Sequence, residues 1–180
     1  MQLASVQRRL LPIIRVVVAG ACIWLLVGTV RIYPYYLAFF NEIIGGPANG
    51  YKYLLDSNVD WGQDLKGLAA FMRQRGIQKI TLAYHGPPYI DPRAYGIDYT
   101  QLQPGTPTSG IIAISAQLLR GITNDLACTN AFVWLESFEP VATIGYSIFV
   151  FTIPSFAKLP PPIALPDDCV KQMAHPATVP

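Results

Sequence analysis

An apolar run near the N-terminus constrains this chain more than any other feature. From Val16 to Val30 the sequence reads VVVAGACIWLLVGTV, with no charge, and Leu10 to Ile14 extend it on the other side of Arg15. A bilayer core takes roughly 20 apolar residues in a helix, and a side chain as long as Arg15 can carry its charge out to the headgroups. One transmembrane helix is therefore expected. Arg8, Arg9 and Arg15 crowd its near side, whereas Arg31 and then Tyr33, Tyr35 and Tyr36 follow it, aromatic residues suited to the water-lipid boundary. The bias of basic residues toward the inner face places the N-terminus in the cytoplasm and everything after Arg31 outside, at the inner (cell) membrane. Two other readings compete. AGA before Cys22 resembles a small-residue cleavage site or lipobox, but apolar residues continue well past it. A buried core helix fits poorly with Arg15, the length of the run and its aromatic flank.

The rest of the chain is bounded by its composition. With 180 residues, 52% of them hydrophobic, there is material for one core but not for two large domains. A net charge of +2 from scattered basic residues excludes a nucleic-acid partner, which requires a dense Lys/Arg stripe. Cys22, Cys128 and Cys169 have no zinc-ligand spacing, and only Cys128 and Cys169 could pair outside the membrane.

Periodicity predicts a helix over Tyr33–Ile44, stopped by Gly45-Gly46-Pro47, and a short one over 49–55. The clearest helix is Asp60–Arg75, where Trp61, Leu65, Leu68 and Met72 share a face and Gly76 occupies the capping position. KITLAY, GIIAIS (Gly110–Ser115) and GYSIFVFTI (Gly145–Ile153) read as strands, with a shorter helix near 131–137 ahead of the last. Helix alternating with strand implies an α/β domain of three to four strands with flanking helices. The expected organisation is a basic end and membrane helix over 1–32, an extracytoplasmic domain over 33–153, and an extended or disordered Pro-rich tail over 154–180.

DSNVDWGQDL, from Asp56 to Leu65, is the most polar stretch. Asp56, Asn58 and Asp60 occupy the first, third and fifth positions of a calcium loop, but Trp61 stands where glycine must allow the turn and Gly67 where a glutamate must close the shell. Asp60 and Asp64 could share a helix face as an acid/base pair. The simpler reading makes Asp60 the helix cap, with Gln63 reaching back in a capping box and Asp64 in the first turn, where the macrodipole favours negative charge. Capping leaves Asp56, Ser57, Asn58 and Trp61 without a role. Trp61 either fills the core from the helix face or joins Asp56, Asn58 and Asp60 in a sugar-recognition surface. His85, ahead of Gly86-Pro87-Pro88, ends a strand where sheets place site residues, although a lone histidine is more often a loop or packing residue. No GxSxG, P-loop, GxGxxG or HExxH motif is present, so no cofactor, metal or catalytic residue is assigned.

The run YPYYLAFFNEIIGGPANGYKYLLDSNVDWGQDLKGLAAFM, Tyr33 to Met72, resembles the segment after the last membrane helices of bacterial family 39 glycosyltransferases, relatives of the dolichyl-phosphate-mannose protein mannosyltransferases. YLAFFNE, GGPANGY and DSNVDWGQDL occur in order, and YGID, the AIS strand and the GYSI strand extend the likeness downstream. Such enzymes transfer a sugar from a polyprenyl-phosphate carrier on the outer membrane face, with catalytic carboxylates in a first extracytoplasmic loop. Nothing in this chain matches that loop, so no catalytic residue is carried over. The resemblance implies a C-terminal module, whether a split or truncated piece or a stand-alone relative, that is not catalytic alone. Its implied partners are the lipid bilayer, a multi-span glycosyltransferase subunit, and glycan or lipid-linked sugar. The competing classes are a non-catalytic glycan-binding or structural module and a metal-dependent hydrolase.

Overall fold

The computed structural model describes residues 2–54, 61–87, 89–121, 128–167 and 169. One long helix, α1 (Gln2–Ile32), leads into a small α/β domain. Leu10–Ile32 is long and apolar enough to cross a membrane, and its most apolar stretch is not buried inside the protein. That exposure removes the core-helix reading. A signal sequence near an N-terminus also meets this criterion of length and composition.

The domain is built on a mixed sheet of five strands in the order β2-β1-β3-β5-β4. These are β1 (Ile80–Ala83), β2 (Tyr99–Gln101), β3 (Gly110–Ser115), β4 (Ala142–Ile144) and β5 (Ile148–Ile153). β1 pairs in parallel with β2 and β3, whereas β5 runs antiparallel to both β3 and β4. The two strands beyond the sequence expectation, β2 and β4, are three-residue edge strands too short to leave a period-2 signature.

Alternation along the central strands divides the core into two layers. Ala113, Ile148 and Val150 join Ile80 and Leu82 on the face covered by α3 (Leu65–Arg75), which contributes Leu65, Leu68, Ala69 and Met72. Ile112, Ile114, Phe149, Phe151 and Ile153 point to the other face, which Phe132, Trp134 and Leu135 cover from a short 3-10 helix and its approach. Burial on both faces is why GIIAIS and IFVFTI are continuous apolar runs rather than alternating ones.

Several helices are shorter than their periodicity predicts. Residues 33–44 form two 3-10 turns, Tyr36–Ala38 and Glu42–Ile44, and a single α turn, α2 (Pro47–Gly50), follows. Another single turn, α4 (Ala116–Leu119), follows β3. The 131–137 segment is 3-10 from Val133 to Ser137. Gly76 caps α3 as expected, in the left-handed conformation at φ 66°. The start of α3 is different: it lies at Leu65, because Gly62 has φ 79°, a conformation incompatible with a helix running through it.

Residues 154–167 form almost no regular structure, yet Ala157, Leu159 and Leu165 pack against the second core layer. The Ile163 N–H donates to Gly105 O at 2.8 Å, and a disulfide joins Cys169 to Cys128. Cys22 is free and exposed on α1.

Candidate functional site

The polar residues of the domain gather where the parallel strands end. From β1 the chain passes to β2 on one side of the sheet, and from β3 it passes to the edge strand β4 on the other, returning through β5 beside β3, so the carboxyl ends of β1 and β3 flank a topological switch point. Open α/β sheets place ligands in the crevice at such points. Tyr84 and His85 follow β1, Ser115 ends β3 and Ser147 precedes β5. The buried Ser115 Oγ accepts from the His85 backbone N–H at 2.9 Å, and Ala116 N–H donates to Ser147 O at 2.7 Å. These bonds tie the three strand ends together. The Tyr84 hydroxyl lies between Gly62 and Gly86, so close that a Cβ on either glycine would overlap it.

Asp64 is the central side chain of this cluster. It occupies the capping position of α3 but makes no side-chain cap bond. Instead its carboxylate turns toward the β4–β5 hairpin, where the Ser147 hydroxyl donates to Oδ2 at 2.6 Å. The hairpin can come this close because Gly145 and Tyr146 both take positive φ, 57° and 70°, folding the turn tightly, and because Gly145 has no side chain: a Cβ there would collide with the Asp64 carboxylate. Only 3% of Asp64 is exposed. Desolvation pushes its pKa up to about 6, against the hydrogen bonds from the Ser147 hydroxyl and amide, which pull it down. A carboxyl poised there can hold or release a proton near neutral pH.

Beyond the Gly145 turn lies a cleft of about 470 Å³. That is within the usual range for small-molecule sites, roughly 300–1,000 Å³. Gly67, Phe71 and Gln74 of α3 form one wall and Ile144 to Tyr146 of the hairpin another; Tyr35 and Ala48, from the segment following α1, close the third side. Gly67 sets the closeness of the first two, since a Cβ there would press on the Ile144 side chain. Tyr35 and Tyr146 meet edge to face at the rim, with centroids 5.8 Å apart.

The residues singled out by sequence fare unequally. Asp56, Asn58 and Asp60 lie outside the described residues. Trp61 is 54% exposed and four residues ahead of α3, so it does not fill the core from a helix face. The physical reason is the left-handed Gly62, which separates Trp61 from the helical repeat. Gln63 lies ahead of α3 rather than in its first turn, and its Oε1 accepts from the Trp61 N–H at 2.8 Å, bracing the turn; its expected capping-box partner, Asp60, lies outside the described residues. Asp64 is neither solvated nor a dipole partner in the first turn, but a buried acceptor. His85 is exposed. Among the described residues no group of three or more His, Cys, Asp or Glu side chains could hold a metal ion.

Sequence reasoning missed Ser147, Gly145 and Tyr146, reading GYS as the beginning of the last strand. The signal was present: Gly at the head of an otherwise β-branched and aromatic run marks a turn as readily as a strand. Comparison with known proteins finds no matching family model, curated protein or solved structure.

Proposed function

We propose that this chain is a membrane-anchored extracytoplasmic module of a lipid-linked-sugar glycosyltransferase system, serving a catalytic multi-span subunit rather than catalysing transfer alone. The observation that carries this reading is the position of the cleft, walled on one side by Tyr35 and Ala48 from the segment leaving α1 and on the others by the α/β domain. A cleft so placed opens beside the membrane, where the sugar end of a lipid-linked donor is found. Its rim of Tyr35, Phe71 and Tyr146 with the Gln74 amide offers the aromatic surface and hydrogen-bonding group that suit a carbohydrate. The resemblance of Tyr33–Met72 to family 39 glycosyltransferases agrees with this assignment, as does the Cys128–Cys169 disulfide, a bond that persists in oxidising compartments outside the cytoplasm. The N-terminus is then cytoplasmic.

The expected result is co-purification of a multi-span subunit with this chain from detergent-solubilised membranes, and no sugar transfer from a polyprenyl-phosphate donor by the purified chain. Transfer by the chain alone would refute the non-catalytic assignment. A second reading, a stand-alone glycan-binding module, draws on the same aromatic rim. It is favoured if the chain purifies alone and Tyr146→Ala abolishes glycan binding with the melting temperature unchanged.

A further inference from the structure

The segment after α1 does not leave the helix; it folds back along it. Tyr35 N–H donates to Ile32 O at 2.7 Å, turning the chain. The Phe39 ring then lies 3.4 Å from the place a Cβ would take on Gly28, so the absent side chain is what lets the ring rest on the helix backbone. Further on, the Glu42 carboxylate accepts from the Trp24 indole N–H at 3.1 Å. The return from Ile32 to the level of Trp24 covers eight residues of α1. At 1.5 Å per residue that is about 12 Å.

Apolar side chains cover the outside of this hairpin. Ile43 is 82% exposed and Leu37 52%, with Tyr36 and Phe39 exposed beside them. At the same level α1 exposes Ile23, Leu26 and Val30 on the face turned away from the returning segment, so the apolar belt draws on both.

The register of the helix decides what covers that belt. Measured from Leu11, a hydrocarbon core of about 30 Å takes roughly 20 residues and ends near Arg31. In that register Arg15 is about 6 Å inside the inner boundary, within reach of the headgroups. Glu42 and Ile43 then lie about 10 Å inside the outer one. Sliding the helix outward until Glu42 is in water would expose the whole belt and draw Arg15 to mid-membrane, where an arginine is costly. Four large apolar side chains and one arginine thus weigh against the Glu42 carboxylate, which accepts from Trp24, and the neighbouring Asn41 amide, whose oxygen accepts from the Ile43 N–H at 3.1 Å.

We infer that Tyr33–Ile44 is a re-entrant wedge inserted into the leaflet on the domain side, with acyl chains against Leu37, Phe39 and Ile43 and Glu42 held inside by Trp24. This rests on the reading of α1 as a membrane span. Because Tyr35 lies near the start of the wedge and Ala48 just past its end, the wedge sets the mouth of the cleft at headgroup level.

The test uses the full chain with Cys22→Ser, reconstituted in phosphatidylcholine/phosphatidylglycerol vesicles. Single cysteines replacing Ile14, Ile43 or Phe156 are labelled with a small fluorophore and quenched by bilayer-embedded nitroxide or aqueous iodide. At position 43 the label is expected to follow position 14, quenched by nitroxide and several-fold less by iodide than position 156, which is 90% exposed on the domain. If position 43 follows position 156 while position 14 stays lipid-quenched, the wedge is overturned and the span stands. Iodide access at both 14 and 43 refutes the span and the wedge together.

Discussion

Replacing Cys128 and Cys169 together by alanine is expected to lower the melting temperature of the domain by on the order of 15 °C. The two cysteines are 41 residues apart in sequence. Closing a loop of that length removes enough entropy from the unfolded chain to stabilise the fold by about 4 kcal/mol. The loop is an unusual one to leave open, because among the described residues no long helix lies over the sheet face it covers. Phe149 and Phe151 are capped by Phe132, Trp134 and Leu135 from a five-residue 3-10 helix and its approach, and by Leu159 and Leu165 from the tail. Among the described residues, two backbone bonds tie these segments together: Gly105 N–H donates to Ala131 O, and Ile163 N–H to Gly105 O, each at 2.8 Å. Without the covalent tie, both can peel from the sheet. Thermal melts followed by tryptophan fluorescence, with Trp134 in this layer, read the effect directly. A double variant melting within a few degrees of wild type, or a wild type indifferent to reductant, would show that the packing holds the layer unaided.

The second large effect is a stability that falls as pH rises. Asp64 has a folded pKa of about 6. An unfolded aspartate titrates near 3.9. Below the unfolded value the carboxyl is protonated in both states and the fold has its full stability. Between about pH 4 and pH 6 the unfolded chain releases a proton that the folded chain keeps, so stability declines; above the folded pKa the loss is complete, amounting to roughly 3 kcal/mol at most. Asp64→Asn keeps the shape and an acceptor for the Ser147 hydroxyl but cannot ionise. It is expected to flatten this part of the pH profile and to stabilise the domain at pH 7.5 relative to wild type, as measured by urea unfolding across pH 4 to 8. A profile that rises through the window instead, in wild type and not in Asp64→Asn, would mean that the Ser147 hydrogen bonds outweigh desolvation.

Both effects come from residues whose importance depends on distant parts of the chain. Asp64 and Ser147 are 83 positions apart, and only the fold of the hairpin over α3 brings them into contact. Sequence placed Asp64 at the beginning of a helix, which is where it is, and from that inferred a partner for the helix dipole in the first turn. Local spacing cannot report that a hairpin will land on it.

What the sequence determined by itself were the features that repeat locally. The apolar run became the exposed helix Leu10–Ile32, the period of Leu65, Leu68 and Met72 became the buried face of α3, and the runs of β-formers became the central strands β1, β3 and β5. Hydrophobic periodicity and chain stiffness act over one or two turns, so they are legible without a fold. The tertiary structure alone decided the edge strands, the inward turn of Asp64, the exposure of Trp61 and the return of Glu42 to Trp24. Each of these depends on which surfaces meet, and glycines at Gly28, Gly62 and Gly145 set that by leaving room for another part of the chain. A missing side chain carries no periodic signal, and its consequence is visible only once its neighbour is in place.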